Sequence, residues 1–374
     1  MSEQRRAPRR EEISIAKPNG GLMGHGAAQL PLVHVDTYNE ELREARSFIG
    51  DRASKKAFGE ILETWRKRLR RHGDDPLGPD PDVKKKKLDK LLTEGDVEEA
   101  GLVESVIEDF ARQFADVVER FLRLPSWRGT QYILVGGGLR ASRVGELAIA
   151  RAAAMLKAKD LEIELRPIHH HPDEAGLIGC VYLAPSWVLR GHNAILAIDI
   201  GGSNIRAGLV ELEFKKSSDH AKCAVAELEL WHYAELKEQP SRDEAVERLA
   251  KMLRALADRA AKSKLKLAPF VGIGCPGLIR ADGSIERGAQ NLPGNWESRR
   301  FNLPRQLHEL LPRIGEHASM FIMHNDAVVQ GLSGAPSMRK VEHWGVLTIG
   351  TGLGNARFTS IGRDGKTKAE SKPG

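Results

Sequence analysis

Cysteine is scarce in this chain. Three occur in 374 residues (Cys180, Cys223 and Cys275), far apart and with no CxxC pair. Their spacing argues against a local disulfide framework or a cysteine-rich zinc site and is what a reducing cytoplasm allows. No stretch approaches the roughly 18 apolar residues that a membrane helix needs, so no span is expected. The arginines of MSEQRRAPRREE have no apolar segment behind them, which excludes a secretory signal. Residues 1–12 are expected to be a disordered arm. There is no short-period repeat, and no helix-turn-helix, zinc-finger or RNP signature, so nucleic acid is not an expected partner.

What is present is a globular composition, 41% apolar and 29% charged, on a chain long enough for two lobes. The net charge of +6 is concentrated in WRKRLRRH (65–72) and KKKK (84–87). These runs read as solvated helix faces and a charged linker, with attraction to a polyanion as the alternative.

Apolar periodicity predicts amphipathic helices over 40–72 and 95–124, separated by the Pro/Gly/Asp loop 74–83. QYILVGGGL (131–139) is a buried strand running into three glycines. A helix (SRVGELAIARAAAMLKAK), the strand LEIELRPI and the small-residue helix DEAGLIGCVYLA follow. Then come the hairpin ILAIDIGGSNIRAGLV (195–210), the strand ELELWHYAEL and the long helix DEAVERLAKMLRALADRAAK. PFVGIGCPGLI (269–279), ASMFIMHNDAV and WGVLTIGTGLGNARF are three further strand-to-turn units. Strands and helices alternate, which is the α/β pattern.

Four glycine turns sit at strand ends. DIGGSN (199–204) is either a plain hairpin turn or a concave anion site made of successive N–H groups. TIGTGLGN (348–355) adds the Thr351 hydroxyl among three glycines. VGGGL (135–139) opens a helix, where free N–H groups favour a phosphate or nucleotide edge. GIGCPG (272–277) is the fourth. Asp326, in HND (324–326), ends an apolar strand. It reads as a helix N-cap or as a carboxylate pointing into a ligand crevice.

Together these motifs resemble the ROK sugar kinases of the actin-like/hexokinase ATPase superfamily. DIGGSNIRAG is similar to that family's first phosphate motif and TIGTGLG to its second. GIGCPGLI with NLPGNW resembles the sugar-facing segment, and HNDA the segment carrying the catalytic aspartate. This half of the resemblance covers about residues 193–360. EDFARQFADVVERFL, YILVGGGL and HPDEAGLIGCVYLA resemble the segments that usually follow the second phosphate motif, yet here they precede the first.

The resemblance therefore implies a two-lobed actin-like fold with ribonuclease H-like lobes, circularly permuted. The large lobe would combine 1–171, the nucleotide-binding part, with 328–374, the second phosphate part. The small lobe would be 172–327. The implied activity is ATP-dependent phosphorylation of a hexose hydroxyl, with Asp326 as catalytic base. Sugar would lie against Asn291, Gly294, Asn325, Asp326, Pro276 and Gly277. Gly201, Gly202, Ser203 and Asn204 would hold phosphates from one side, and Gly350, Thr351, Gly352 and Gly354 from the other. Gly136, Gly137 and Gly138 would seat the adenosine, and Asp199 would hold Mg²⁺ through water.

The family's zinc cluster has no counterpart, so no structural zinc is expected. Its Glu-x-Gly-His sugar ligands are not evident. They should lie beside the permuted break, where His25 reads as a ligand or, preferably, as a mobile-loop histidine. His169, His170 and His171 read as solvated loop residues rather than a metal site. A sugar-responsive regulator and a polyphosphate-dependent kinase are the alternatives. The expected partner is a small sugar, and a homodimer is an open alternative to a monomer.

Overall fold

The computed structural model describes residues 24–44, 47–73, 75–78, 83–213 and 222–362. The expected N-terminal arm, residues 79–82 of the acidic loop and residues 363–374 lie outside them. The described chain is a mixed α/β structure built on two five-stranded sheets.

The first sheet contains β1 (Val33–Tyr38), β2 (Tyr132–Gly136) and β3 (Glu164–Pro167). The second contains β4 (Ala194–Ile200), β5 (Ile205–Glu211), β6 (Ala224–Trp231), β7 (Leu267–Cys275) and β8 (Met320–Asn325). Strands β9 (His343–Ile349) and β10 (Leu353–Ser360) complete the first sheet. In the second sheet the spatial order is β6-β5-β4-β7-β8. β6, β5 and β4 are antiparallel, and β7 and β8 continue parallel to β4. In the first sheet the order is β1-β10-β9-β2-β3. Here too the pairs β1–β10 and β10–β9 are antiparallel, and β9–β2 and β2–β3 parallel. The two sheets share one pattern of directions.

β4, AILAIDI, is buried along its whole length. A run that is apolar except for Asp199 near its end marks a strand covered on both faces. Helix α3 (Val97–Leu122) starts at a capping box made by Asp96 and Glu99 and buries a stripe from Leu102 to Phe121. Helix α6 (Arg242–Lys262) starts at a second capping box, Ser241 with Glu244.

Two expectations need correction. The helix over 40–72 is α-helical only from Lys55 to Arg70, here α1, where Ser54 caps it through Ala57 N. Upstream, Glu40 N donates to Asn355 Oδ1, Asn355 Nδ2 donates to Glu40 O, and Ile49 N donates to Leu42 O. These bonds, two of them to a residue 315 positions away, hold 39–44 in extended and turn structure against its helical pattern. The run KKKK is no linker: Lys85 is the first residue of helix α2 (Lys85–Glu94), which docks through buried Leu88. In the other basic run, Arg66 is buried, with Nε donating to Asp75 Oδ2 (2.8 Å) and Nη2 to Gly78 O (2.7 Å).

A core of apolar residues joins α5 (Pro172–Gly179) and α8 (Asp326–Leu332) to strands of both sheets. The C-terminal ends of β2 and β9 therefore face the β4–β5 turn across one cleft.

Candidate active site

The cleft has a volume of about 410 Å³ and is lined by turns from both sheets. Gly201, Gly202, Ser203 and Asn204 come from the β4–β5 turn. Gly350, Thr351, Gly352 and Gly354 come from the β9–β10 turn, and Gly137 and Gly138 from the end of β2. Ser203 Oγ and Thr351 Oγ1 lie 3.1 Å apart, so the two expected phosphate turns touch. A Cβ on Gly202 would sit 3.4 Å from Thr351 Oγ1, which leaves the backbone itself as the wall. Gly137 has φ +86, and a Cβ there would lie 2.3 Å from Ile349 O. Only glycine lets this turn seat on the neighbouring strand.

Asp326 is the first residue of α8 and lines the cleft. Its alternative reading as an N-cap is settled by its neighbour. Asn325 Oδ1 accepts from Ala327 N and Val328 N, while Asn325 Nδ2 donates to Gly277 O. Asp326 Oδ1 accepts from Ala327 N at 2.9 Å, and Oδ2 has no protein partner among the described residues. Burial, and then the Asp199 carboxylate, push the Asp326 acid up to about 7. Asp199 is itself raised, by burial first. It is 2% exposed; Oδ2 pairs with Arg206 Nη1 at 3.3 Å, and Oδ1 is buried without a partner. Arg206 is shared with Asp173 at the start of α5 (2.7 Å).

The structure thus gathers most of the expected residues, with Asn291, Pro276 and Gly277 lining the same cleft as Asp326. Three expected residues do not line the cleft. Asn325 is consumed by its cap and its bond to Gly277. Gly294, at φ +77, is a turn residue packed on Arg242. Gly136 is the buried end of β2, against Ile168.

His25 is no mobile-loop residue. Its Nδ1 accepts from Met323 N (3.1 Å), and Gly26 N donates to Met323 O, which ties this segment to the β8 edge. His171 accepts from Asp173 N, and the carbonyls of His169 and His170 accept from Arg140. Among the described residues no group of three or more His, Cys, Asp or Glu is placed to hold a metal ion, and the three cysteines are buried and form no disulfide with one another. No helix among them is long and apolar enough to cross a membrane.

Sequence reasoning missed one part of the cleft wall. It is made by Asn39 and Glu40, at the end of β1, with Asn355 behind them. Asn39 has φ +53, a left-handed conformation that asparagine tolerates. Lys55, Lys85 and Gln330 also line the cleft. The sequence signals were slight: an asparagine closing TIGTGLGN, and one lysine among four.

No protein-family model matches the chain. A glucokinase of Thermotoga maritima is 28% identical over 177 residues, 46% of this chain. The match spans 47% of that relative, about half its length. Among solved structures, the ROK hexokinase of Thermus thermophilus is similar at 19% identity and a TM-score of 0.30, covering 46% of this chain and 50% of its own. A ROK-family transcriptional regulator, homologous to the MLC protein of E. coli, is similar at 15% identity and a TM-score of 0.34, over 47% and 39%. An exopolyphosphatase of Cytophaga hutchinsonii is similar at 14% and 0.23, over 49% and 55%. Over about half of its length the chain is thus similar in sequence to a glucokinase, and its four glycine and aspartate motifs converge on one cleft.

Proposed function

We propose that the cleft transfers the terminal phosphoryl group of ATP to a hydroxyl of a hexose. The observation that carries this reading is Asp326, a carboxylate with a raised pKa facing two glycine turns that touch each other. The sugar hydroxyl oxygen attacks the terminal phosphorus and forms the new P–O bond. The bond from that phosphorus to the bridging oxygen breaks, and its electron pair leaves with ADP. The hydroxyl proton passes to Asp326. Such transfer needs mainly positioning and charge stabilisation, which the N–H groups of 201–204 and 350–354 supply. Gly137 and Gly138 would seat the adenosine. Asn291, the 276–277 turn, Asn39 and Glu40 would hold the sugar.

A divalent cation fits the chemistry of Asp199. The orphaned, buried Oδ1 is a hard oxygen acceptor that lacks a hydrogen, and water on Mg²⁺ can supply one. When bound, Mg²⁺ would neutralise charge on the phosphates. Arg206 would keep the carboxylate oriented.

We also read the chain as a circularly permuted actin-like fold. Strand order supports this. In the second sheet the strands count third, second, first, fourth, fifth along the chain. The first sheet gives the same count if numbering starts at β9 and runs through β10 to β1, β2 and β3. A co-linear match that stops at about half of either chain is what a swap of halves produces. In lobe terms the small lobe would be 172–327, with 1–171 and 328–374 forming the large one. A coupled ADP-release assay over a panel of sugars tests the activity; no sugar-dependent release from any hexose would overturn it.

A further inference from the structure

Two ammonium groups border the cleft at its donor end, and neither has an ion-pair partner among the described residues. Lys55 is the first residue of α1, and its backbone N–H donates to Gly350 O in the second phosphate turn. Lys85 is the first residue of α2, and its Nζ donates to Gly138 O in the expected adenosine turn. Lys85 is half-buried, and its ammonium is pushed below the ordinary lysine value by burial first and then by the charge of Lys55. The nearby carboxylates are already engaged. Asp173 pairs with Arg206, and Asp89 accepts from Val144 N. Asp326, Asp199 and Glu40 also line the cleft. The lysine end therefore holds two like charges close enough to repel, an arrangement that a polyanion relieves.

We propose that Lys55 and Lys85 form a clamp on the condensed-phosphate chain of the donor. The inference rests on the donor reading above and assigns it two side chains. The shared ligand chemistry is a chain of linked phosphates, carried by a nucleoside triphosphate or by inorganic polyphosphate. In the structure Lys85 rests on the Gly138 carbonyl. On binding, its ammonium turns to phosphate oxygen, a stronger, charge-assisted acceptor.

Calorimetric titration of the full chain with ADP, tripolyphosphate and adenosine tests this. The variants are Lys85→Ala, Lys55→Ala, their double mutant and Lys85→Arg. One charge-assisted contact corresponds to about tenfold in affinity. Each alanine variant should weaken ADP binding by about that factor and leave adenosine binding unchanged, and Lys85→Arg should restore most of the loss. If ADP and adenosine weaken equally, Lys85 only holds the Gly138 turn and the clamp is overturned. Unchanged ADP affinity in the double mutant overturns the clamp and leaves the kinase reading standing. A wild-type chain that binds tripolyphosphate but neither nucleoside ligand supports the clamp and overturns ATP as donor. A chain that binds none of the three overturns both.

Discussion

Ser203 Oγ and Thr351 Oγ1 lie 3.1 Å apart although 148 residues separate them in the chain. The contact joins the β4–β5 turn of one sheet to the β9–β10 turn of the other, at the place where phosphate would bind. Thr351 is exposed and Ser203 half-buried, so the bond itself is worth about 1 kcal/mol or less. Thr351→Val should leave thermal stability almost unchanged. If the hydroxyl faces the donor as proposed, the KM for ATP should rise severalfold while the KM for sugar stays constant. Steady-state kinetics with each substrate varied in turn checks this; an equal rise in both constants would count against a donor role.

Asp326→Asn should reduce kcat by about 10²–10⁴-fold, the usual cost of a lost catalytic base, while sugar binding persists. The wild-type acid titrates at about 7. Activity that needs the carboxylate should therefore fall as pH drops below about 7, and the variant's residual rate should lack that limb. Stability should move the opposite way. The folded acid holds its proton more tightly than the unfolded one, so ionisation destabilises the fold as pH rises through 4 to 7. At pH 8 the asparagine variant should melt higher than wild type, and calorimetry at pH 5 and pH 8 reads the difference. A variant retaining more than half of wild-type kcat would remove Asp326 from the mechanism.

His324 makes a second pH prediction. It is buried beside Tyr38, with Nε2 at 3.2 Å from Ala27 O and Nδ1 accepting from Asn325 N. The neutral tautomer satisfies both bonds, and a proton on Nδ1 would break the second. Burial lowers this group to about 4, so the unfolded chain takes up the proton more readily. Stability should fall between pH 6.5 and pH 4, by on the order of 3 kcal/mol from this residue. Urea melts at pH 7 and pH 5 should show a loss that His324→Gln reduces. An unchanged slope in the variant would assign the acid sensitivity elsewhere.

Gly137→Ala should be costly. The residue has φ +86 and ψ 169, a region open essentially to glycine alone. The backbone strain costs about 1–3 kcal/mol, and the methyl would also meet Ile349 O at 2.3 Å. Denaturant unfolding should register at least that loss, together with weaker adenosine binding. A variant as stable as wild type would mean the turn is free to move.

Much of this architecture is legible locally, because it is written in short-range signals. The largely apolar ILAIDI, the glycine turns and the capping residues Asp96 and Ser241 each act within a few positions of themselves. The wall made by Asn39 and Glu40 is of another kind. Its extended form depends on Asn355, 315 residues away from Glu40, and nothing in NEELRE hints at that partner; the local pattern there favours a helix. Asn325 misled for a related reason. It stands next to Asp326 in sequence, but its two polar atoms are used up by α8 and Gly277, which only the packed structure reveals. Lys85 was masked by its three lysine neighbours, since composition cannot say which of four charges faces inward.

The order of strands in the first sheet has a consequence for synthesis. β1 and β2 never touch; β9 and β10 lie between them. On the ribosome, β1, β2 and β3 emerge with a two-strand gap in their sheet, and it stays open until residues 343–360 have left the exit tunnel. The second sheet draws all its strands from residues 194–325, an uninterrupted run, so it can close first and serve as the surface on which the earlier half waits. During that interval the facing edges of β1 and β2 are unpaired, a state that invites association with other chains. β9 and β10 are the strands that end it.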